Sequence, residues 1–226
     1  MELLLIRHGQ PEWVGPKKEA RNDPGLTQLG RAQAAATAAA LGTTRIDDLL
    51  VSTAVRAQQT AAPLAELLGI KPSLEEDLFE LKLSPEWDGA PAAEVGEWFR
   101  NARGRDRLEW WQGAPGGEGF GEFHLRVTDC VDRLLADRGV KRHSEDGNLW
   151  DMDVTDDRRF AIVAHAGTNS AILGHLLGVE PEPWEWERFS SSHASITVLR
   201  SAPIAGQAIW SLQSFSNVSH LPAETS

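Results

Sequence analysis

The chain begins MELLLIRHG (residues 1–9), in which four apolar residues lead directly into a cation, an imidazole and a glycine. A short, continuous apolar run is typical of a strand that is covered on both faces of a sheet. In α/β proteins the carboxyl ends of such strands form the crevice that binds ligands. Arg7 and His8 could be ordinary polar residues at a strand end, or a nucleophile beside an anion-binding guanidinium. The tripeptide alone does not decide between these two interpretations.

Short apolar strands alternate with helical segments along the rest of the chain, as they do in α/β proteins. The predicted strands are LLLI (3–6), IDDLLVS (46–52), RFAIVA (159–164), ASITVLR (194–200) and QAIWSLQSF (207–215), the last two forming a hairpin around residues 204–206. Helices are predicted over residues 27–42, 54–69, 120–139 and 168–178. We expect Thr27 to cap the first helix and Gly42 to end it, and Pro63 to kink or restart the second.

Two regions interrupt this alternation. Residues 82–121 combine four tryptophans with glycine, proline and charged residues, and residues 141–159 are polar and acidic. We interpret both regions as excursions beyond the sheet, each a candidate lid or surface loop. Because no internal repeat or low-complexity linker is present, we expect residues 1–226 to form a single domain.

Composition excludes several classes of function. The 226 residues carry a formal net charge of −11, which argues against non-specific binding to nucleic acid or to an anionic membrane. LLLI is too short for a membrane span or a signal-peptide core, so the cytoplasm is the expected location. Cys130 is the only cysteine, which excludes an intramolecular disulfide and a cysteine-built metal site. Its position on the apolar stripe of a helix indicates a buried thiol.

Side chains suited to phosphate follow three of the predicted strands. Arg7 and His8 follow the first strand, Arg56 lies in the first helical turn after the second, and His165 follows RFAIVA. If these strands are parallel neighbours, their ends bring these groups and a helix N-terminus into one crevice. One guanidinium group can donate two parallel hydrogen bonds to two oxygens of a phosphate. A neutral imidazole has a lone pair that can attack phosphorus. A leaving alkoxide also needs a proton, for which LEEDLFELKLSPEWDG (74–89) offers several carboxyl groups.

Four motifs, in order, resemble those of the histidine phosphatase superfamily, the phosphoglycerate-mutase-like phosphatases. They are LIRHGQ (5–10), STAVRAQQTA (52–61), LFEL followed by EWDG (78–89), and VAHAGTNSAIL (163–173). DPGLTQLGRAQA (23–34) resembles the family's next segment, and ASITVLR with SNVSHL (216–221) resembles its closing strands and tail. The resemblance implies a three-layer α/β/α sandwich around a mixed, mostly parallel sheet, with no metal and no organic cofactor.

The resemblance also implies a role for five residues. His8 would be the nucleophile that becomes phosphohistidine, and Arg7, Arg56 and His165 would bind the transferring phosphoryl oxygens. Glu80 would protonate the leaving oxygen and then, as a carboxylate, activate the water that hydrolyses the phosphoenzyme.

Four further residues either belong to the expected substrate site or differ there from the family pattern. Gly9 would keep the backbone clear of the ligand, and Gln10 either touches the phosphate or is an exposed loop amide. Ala166 stands where the family usually has glycine after the second histidine. Val14 replaces an asparagine that can touch phosphate, so that contact must be absent or be supplied by another residue.

The other histidines and the tryptophans are assigned structural roles. No pair among His124, His143, His175, His193 and His220 has convincing metal-ligand spacing, so ordinary core or surface roles are expected for them. The tryptophans of residues 82–121 are expected to pack a lid. If they line the pocket instead, they favour an apolar or sugar-like leaving group.

The sequence therefore predicts a metal-independent phosphomonoesterase that acts on a small phosphorylated metabolite. One alternative is a phosphoglycerate mutase, which is disfavoured because KKEARNDPGLT (17–27) replaces the longer mutase signature. A second is a catalytically silent phosphate-binding relative, which is disfavoured because all five expected site residues are present. We expect no nucleic-acid or membrane partner. A homodimer is compatible with the sequence, which does not determine the oligomeric state.

Overall fold

The computed structural model describes residues 1–15, 17–143 and 148–222. Its strands are β1 (Glu2–Arg7), β2 (Asp48–Ser52), β3 (Ser73–Glu75), β4 (Lys141–Arg142), β5 (Trp150–Asp151), β6 (Arg159–Ala164), β7 (Ile196–Ile204) and β8 (Gln207–Asn217). Its helices are α1 (Gln28–Leu41), α2 (Val55–Leu68), α3 (Ala92–Ala102), α4 (Arg107–Gln112), α5 (Phe120–Ala136), α6 (Ala166–Leu177) and α7 (Glu185–Arg188). None of these helices has the length and apolar character that crossing a bilayer requires.

The strands form one mixed sheet with the order β3-β2-β6-β1-β7-β8-β5-β4. β3, β2, β6 and β1 are parallel neighbours, whereas β7, β8, β5 and β4 pair antiparallel. The mixed sheet is confirmed. In the part of the chain that is described, four of the eight strands are parallel neighbours, which is fewer than a mostly parallel sheet would have. The reason is that β4 and β5 extend the antiparallel side of the sheet.

Helices cover both faces of this sheet. Because successive residues of a strand point to opposite faces, β1 contributes Leu4 and Ile6 to the core beneath α1 and α2. It contributes Leu3 and Leu5 to the core beneath α5 and α6. The predicted three-layer α/β/α arrangement is confirmed. Cys130 lies in the second of these cores, and burial raises the pKa of its thiol to about 11, as expected of an inert, buried cysteine.

Local sequence signals set most element boundaries. The Thr27 side chain accepts a hydrogen bond from the Gly30 N–H and caps α1, and Gly42 follows the helix as predicted. β7 and β8 form the predicted hairpin, with positive φ at both turn residues, 51° at Ala205 and 82° at Gly206. The predicted restart at Pro63 does not occur: α2 is a single helix, buried against the sheet on both sides of the proline.

The two interrupting regions differ in their relation to the sheet. Residues 82–121 fold into a 3₁₀ turn followed by α3 and α4, outside the sheet. Of residues 141–159, β4 and β5 join the sheet at its edge, and Trp150 is buried there with 1% exposure. This part of the acidic region therefore extends the sheet, while residues 144–147 lie outside the described residues.

Candidate active site

Two histidines meet where parallel strands end. β6 pairs in parallel with both β1 and β2, so the carboxyl ends of the three strands lie side by side. His8 follows β1 and His165 follows β6, and their ring centroids are 5.1 Å apart. Both imidazoles are buried, with exposures of 2% and 0%. The sheet thus brings together the two histidines that the sequence singles out.

His8 presents one ring nitrogen to the site. Its Nδ1 lies 2.7 Å from the Gly9 carbonyl oxygen. Because a carbonyl only accepts, we assign the proton to Nδ1, which leaves the lone pair on Nε2. Burial and the positive charges of Arg56 and Arg7 hold the pKa of His8 well below its usual range. The imidazole is therefore neutral and nucleophilic at Nε2.

His165 is oriented by the end of β2. Its Nε2 lies 2.8 Å from the Ser52 hydroxyl, which also accepts a hydrogen bond of 3.3 Å from the Ala54 N–H. We assign the hydroxyl proton to the bond with Nε2, so Nδ1 carries the ring proton. Burial and the charge of Arg56 hold the pKa of His165 well below its usual range. His165 is therefore a neutral hydrogen-bond donor.

Arg7 is held by the segment that enters β7. Its Nη1 donates to the Ser191 carbonyl, and its Nη2 lies 3.1 Å from Nε2 of His193. Burial and the charge of Arg7 lower the pKa of His193 to about 4, so His193 is a neutral acceptor. Its ring centroid is 5.7 Å from that of His8. His193, for which an ordinary core or surface role was expected, therefore lies in the site and contacts Arg7.

Arg56, in the first turn of α2, is held from three sides. Its Nη1 lies 3.3 Å from Oδ1 of Asp23, and the same oxygen accepts a hydrogen bond of 3.0 Å from the Val55 N–H. Its guanidinium carbon lies 5.0 Å from the ring centroid of Trp13 and 5.6 Å from that of Phe79. Asp23 therefore caps α2 and fixes the arginine, a role that the sequence alone did not reveal.

Three buried nitrogens in this cluster have no hydrogen-bond partner among the residues that the structure describes. They are Nε of Arg7, Nε of Arg56 and Nδ1 of His165. Leaving a buried donor unpaired costs roughly 1–3 kcal/mol. An anion with several oxygens would satisfy such donors, and guanidinium groups match the geometry of phosphate as well as that of carboxylate.

Glu80 lies at the N-terminus of α6. Its Oε2 accepts a hydrogen bond of 2.9 Å from the Gly167 N–H, and its Oε1 one of 3.0 Å from the Leu81 N–H. A Cβ at position 167 would clash with this carboxylate. The nearby Glu75 is instead paired with Arg133 at 3.1 Å. Of Glu75 and Glu80, the structure therefore places Glu80 beside Gly167, two residues after His165.

Arg126 of α5 anchors the segment that carries Glu80. Its Nη1 donates to the carbonyls of Asp77 at 2.8 Å and Phe79 at 3.1 Å. Its Nη2 pairs with Glu118 at 2.7 Å. No local motif marks Arg126, because the carbonyls of Asp77 and Phe79 that it binds lie 49 and 47 residues away in sequence.

Gly9 and Gln10, two further residues predicted to lie in the substrate site, make contacts within the protein. The Gly9 N–H donates to the Thr60 hydroxyl at 3.0 Å, and a Cβ on Gly9 would clash with the backbone of Gly30 in α1. Position 9 thus needs glycine because α1 approaches its backbone closely. The resemblance implied instead that a glycine here leaves room for the ligand. Oε1 of Gln10 accepts a hydrogen bond of 2.9 Å from the Thr27 hydroxyl, so this end of the amide supports the α1 cap.

A large cavity of about 1390 Å³ adjoins the cluster. Arg56, Glu80 and Ala166 lie in its wall, so the cavity reaches the N-terminus of α6. Val14 is 51% exposed and is not among the described residues that line it. Position 14 therefore supplies no side chain to this cavity. In the described part of the chain, no three His, Cys, Asp or Glu side chains are grouped to hold a metal ion.

Comparison with known proteins identifies the family. The model of the histidine phosphatase superfamily (branch 1) matches residues 3–210. Glucosyl-3-phosphoglycerate phosphatase of Mycobacterium tuberculosis (strain H37Rv) is 31% identical over 80% of this chain and 78% of its own length. Phosphoserine phosphatase 1 of Hydrogenobacter thermophilus is 27% identical over 88% and 86%. The solved structure of mycobacterial glucosyl-3-phosphoglycerate phosphatase superposes with a TM-score of 0.70 and 26% identity, covering 95% of this chain and 98% of that one. The chain therefore belongs to the histidine phosphatase superfamily, branch 1.

Proposed function

We propose that this phosphatase hydrolyses the phosphomonoester of a small metabolite through a phosphohistidine formed on Nε2 of His8. The observation that carries the proposal is the pairing of a neutral, buried imidazole with three buried N–H donors that lack partners among the described residues. A phosphoryl group needs this combination of a nucleophile and fixed positive charge.

In the first step, Nε2 of His8 attacks phosphorus and the bond from phosphorus to the ester oxygen breaks. Arg7, Arg56 and His165 donate hydrogen bonds to the phosphoryl oxygens, where negative charge is concentrated. Glu80 in its protonated form gives its proton to the leaving oxygen, so the product is a neutral alcohol.

In the second step, the Glu80 carboxylate accepts a proton from water as the water oxygen attacks phosphorus. The bond from phosphorus to Nε2 breaks, which returns His8 to its neutral form and releases inorganic phosphate. The carboxyl proton is thereby restored for the next turnover.

The relatives favour hydrolysis of a small organic phosphate. Those named above are phosphatases, and their names give glucosyl-3-phosphoglycerate and phosphoserine as substrates. We propose a small phosphorylated metabolite of this general kind as the substrate. Phosphoglycerate mutases are also among the relatives, such as the 2,3-bisphosphoglycerate-dependent enzyme of Methylobacterium sp. (strain 4-46), which is 32% identical over 80% of this chain. The mutase alternative has less support because KKEARNDPGLT (17–27) replaces the longer mutase signature. As part of the proposal we place the activity in the cytoplasm.

Replacing the nucleophile tests the first step. We expect His8→Ala to lower kcat for p-nitrophenyl phosphate by about 10³-fold or more, since no other group forms the covalent intermediate. His143→Asn, a histidine at the β4–β5 edge that pairs with Asp151, is the matched control and should retain wild-type activity. Comparable hydrolysis by His8→Ala would overturn the assignment, and well-folded wild type without phosphatase activity would overturn the function.

Replacing the carboxyl group tests the proton transfer. We expect Glu80→Gln to slow hydrolysis of an alkyl phosphate by about 10²–10⁴-fold, because a poor leaving group needs the proton. p-Nitrophenyl phosphate should be affected far less, since its leaving oxygen is already acidic. An equal loss with both substrates would mean that another carboxyl group is the acid.

A further inference from the structure

The cavity beside the phosphate-binding cluster has aromatic walls. Its aromatic lining residues are Trp13, Phe79, Trp98, Phe99, Trp110 and Trp186, and we call the cavity the tryptophan chamber. Resting on the proposed function, we propose that this chamber binds the leaving alcohol, and that the preferred substrate carries a hydroxylated ring there. The substrate class would then be phosphomonoesters of glycosides or similar cyclic polyols.

The size of the chamber argues against a very small leaving group. Pockets for small molecules commonly measure about 300–1,000 Å³, and this cavity of about 1390 Å³ is larger. A three-carbon alcohol such as glycerate would leave most of it filled with water. A leaving group that carries a ring would bury much more of the aromatic surface.

Four of these aromatic residues, Trp13, Trp98, Phe99 and Trp110, belong to neither hydrophobic core, whereas Phe79 and Trp186 pack against the cores. α3 buries only Ala102, and it presents Trp98 and the 47% exposed Phe99 to the chamber. α4 contributes Trp110, whose ring centroid is 6.0 Å from that of Trp186 of α7. Exposed aromatic surface of this kind is a feature of ligand-binding grooves. Ring faces of tryptophan suit the flat, apolar faces of another ring.

Charged side chains between the aromatic rings favour a hydroxylated occupant. Arg103 and Glu187 form an ion pair of 2.8 Å in the chamber wall. The guanidinium of Arg105 lies 5.3 Å from the ring centroid of Trp98. An alkyl chain would desolvate these groups without replacing their hydrogen bonds with water, whereas hydroxyl groups could replace them. The lining therefore points to a polyol ring rather than a lipid chain.

The loop before α1 connects the chamber with the phosphate-binding cluster. The loop that supplies Asp23 to Arg56 also pairs with the base of residues 82–121. Ala20 donates to the Ala90 carbonyl at 2.7 Å, and Asn22 Nδ2 donates to the Ser84 carbonyl at 2.9 Å. Because Arg56, Glu80 and Ala166 also lie in the chamber wall, one substrate can place its phosphoryl group on His8 and its leaving alcohol in the chamber.

Matched substrates test the proposal. The probes are glycerol 1-phosphate, a glucoside of glycerol 1-phosphate, and hexyl phosphate, all esters of primary alcohols. We expect kcat/KM for the glucoside to exceed that for the other two by about tenfold or more, because ring stacking adds about 1 kcal/mol for each aromatic contact. The unphosphorylated glucosylglycerol should inhibit p-nitrophenyl phosphate hydrolysis competitively, which tests the wild-type chamber directly.

Variants connect this preference to the chamber. Trp98→Ala and Trp110→Ala should each reduce the ratio of kcat/KM for the glucoside to that for glycerol 1-phosphate by about fivefold or more. Leu108→Ala is the control on α4, because Leu108 is 67% exposed and is not among the chamber's described lining residues. It should leave the ratio unchanged.

The outcomes separate the two proposals. Equal hydrolysis of all three esters without inhibition by glucosylglycerol would overturn the chamber proposal and leave the phosphatase function intact. A preference for hexyl phosphate would overturn the hydroxylated ring. If neither these esters nor p-nitrophenyl phosphate is hydrolysed by folded wild type, the proposed function itself is wrong.

Discussion

At the scale of single residues, we expect the protonation of His8, the proposed nucleophile, to determine the range of pH over which the enzyme works. Burial and the charges of Arg56 and Arg7 lower the pKa of His8 well below its ordinary value of 6.5. The neutral, nucleophilic form therefore persists as the pH falls through 6.5 and is lost only at the lower pKa of the folded state. We expect kcat/KM, corrected for ionisation of the substrate, to show no inflection near 6.5.

The source of this lowered pKa is testable with a second variant. Arg56→Met removes a positive charge that lowers the pKa of His8, so the acid limb of the remaining activity should move toward neutral pH. Measuring the pH–rate profile of both proteins separates this effect from weaker substrate binding, which changes KM without moving the limb. An inflection near 6.5 in the wild type would contradict the assignment.

The site residues that sequence reasoning singled out are those that carry local signals. Arg7, His8 and His165 directly follow apolar strands, so their meeting can be anticipated from the parallel order of the sheet. His193 and Arg126 were missed, because their contacts with Arg7 and with the Glu80 segment depend on residues far apart in sequence. His193 lies three residues before β7, which runs antiparallel to β1, so the segment that holds His193 lies beside the end of β1.

At the scale of elements, the N-terminus of α6 positions the proposed acid. A methyl group at Gly167 would occupy the place of the Glu80 carboxylate, which is the flexible end of a side chain and can move away. We therefore expect Gly167→Ala to leave the fold intact and to lower kcat for an alkyl phosphate by about 10–100-fold, in keeping with partial loss of acid catalysis. p-Nitrophenyl phosphate should be affected less.

A second glycine supplies the control for this substitution. Gly121 lies in the first turn of α5, and a Cβ there would meet no described atom within 4 Å. Gly121→Ala should leave both activities unchanged. If Gly167→Ala slows both substrates equally, the loss comes from distortion of α6 rather than from displacement of Glu80.

Element prediction from sequence was accurate where the pattern was long. α1 and α5 span several turns and carry clear apolar stripes or caps, so both were expected. β4 and β5 contain two residues each, too few for any alternation to be visible, and they were expected to lie in a loop. The restart considered for Pro63 does not occur, because burial of α2 on both sides of the proline compensates for the loss of one backbone hydrogen bond.

At the scale of the whole molecule, the site lies where the sheet changes direction. β1 is the last strand of the parallel half, and β7 is the first of the antiparallel half. The parallel half supplies His8, His165 and Arg56, while the segment before β7 supplies His193 to Arg7. Both halves of the sheet must therefore be in place before the cluster is complete, which couples the site to the stability of the entire fold.

That stability includes an unfavourable contribution from Glu185, in α7. The residue is 1% exposed, and burial raises the pKa of its carboxyl group to about 7, against the opposing effects of the Glu182 backbone and Arg188. In the unfolded chain the same group titrates near 4.5. Between these two values the folded state holds a proton that the unfolded state has lost. The free energy of unfolding therefore decreases as the pH rises from 4.5 through about 7.

Replacing Glu185 with glutamine removes this titration while keeping the shape of the side chain. We expect Glu185→Gln to raise the free energy of unfolding by roughly 3 kcal/mol above the pKa, near pH 8, and to change it little near pH 5. Urea unfolding at both pH values measures the difference. Glu66→Gln, at an exposed position of α2, should change neither value by more than about 0.5 kcal/mol. If Glu185→Gln shows the same pH dependence as the wild type, the buried carboxyl group is not the source, since no other substitution distinguishes the two proteins.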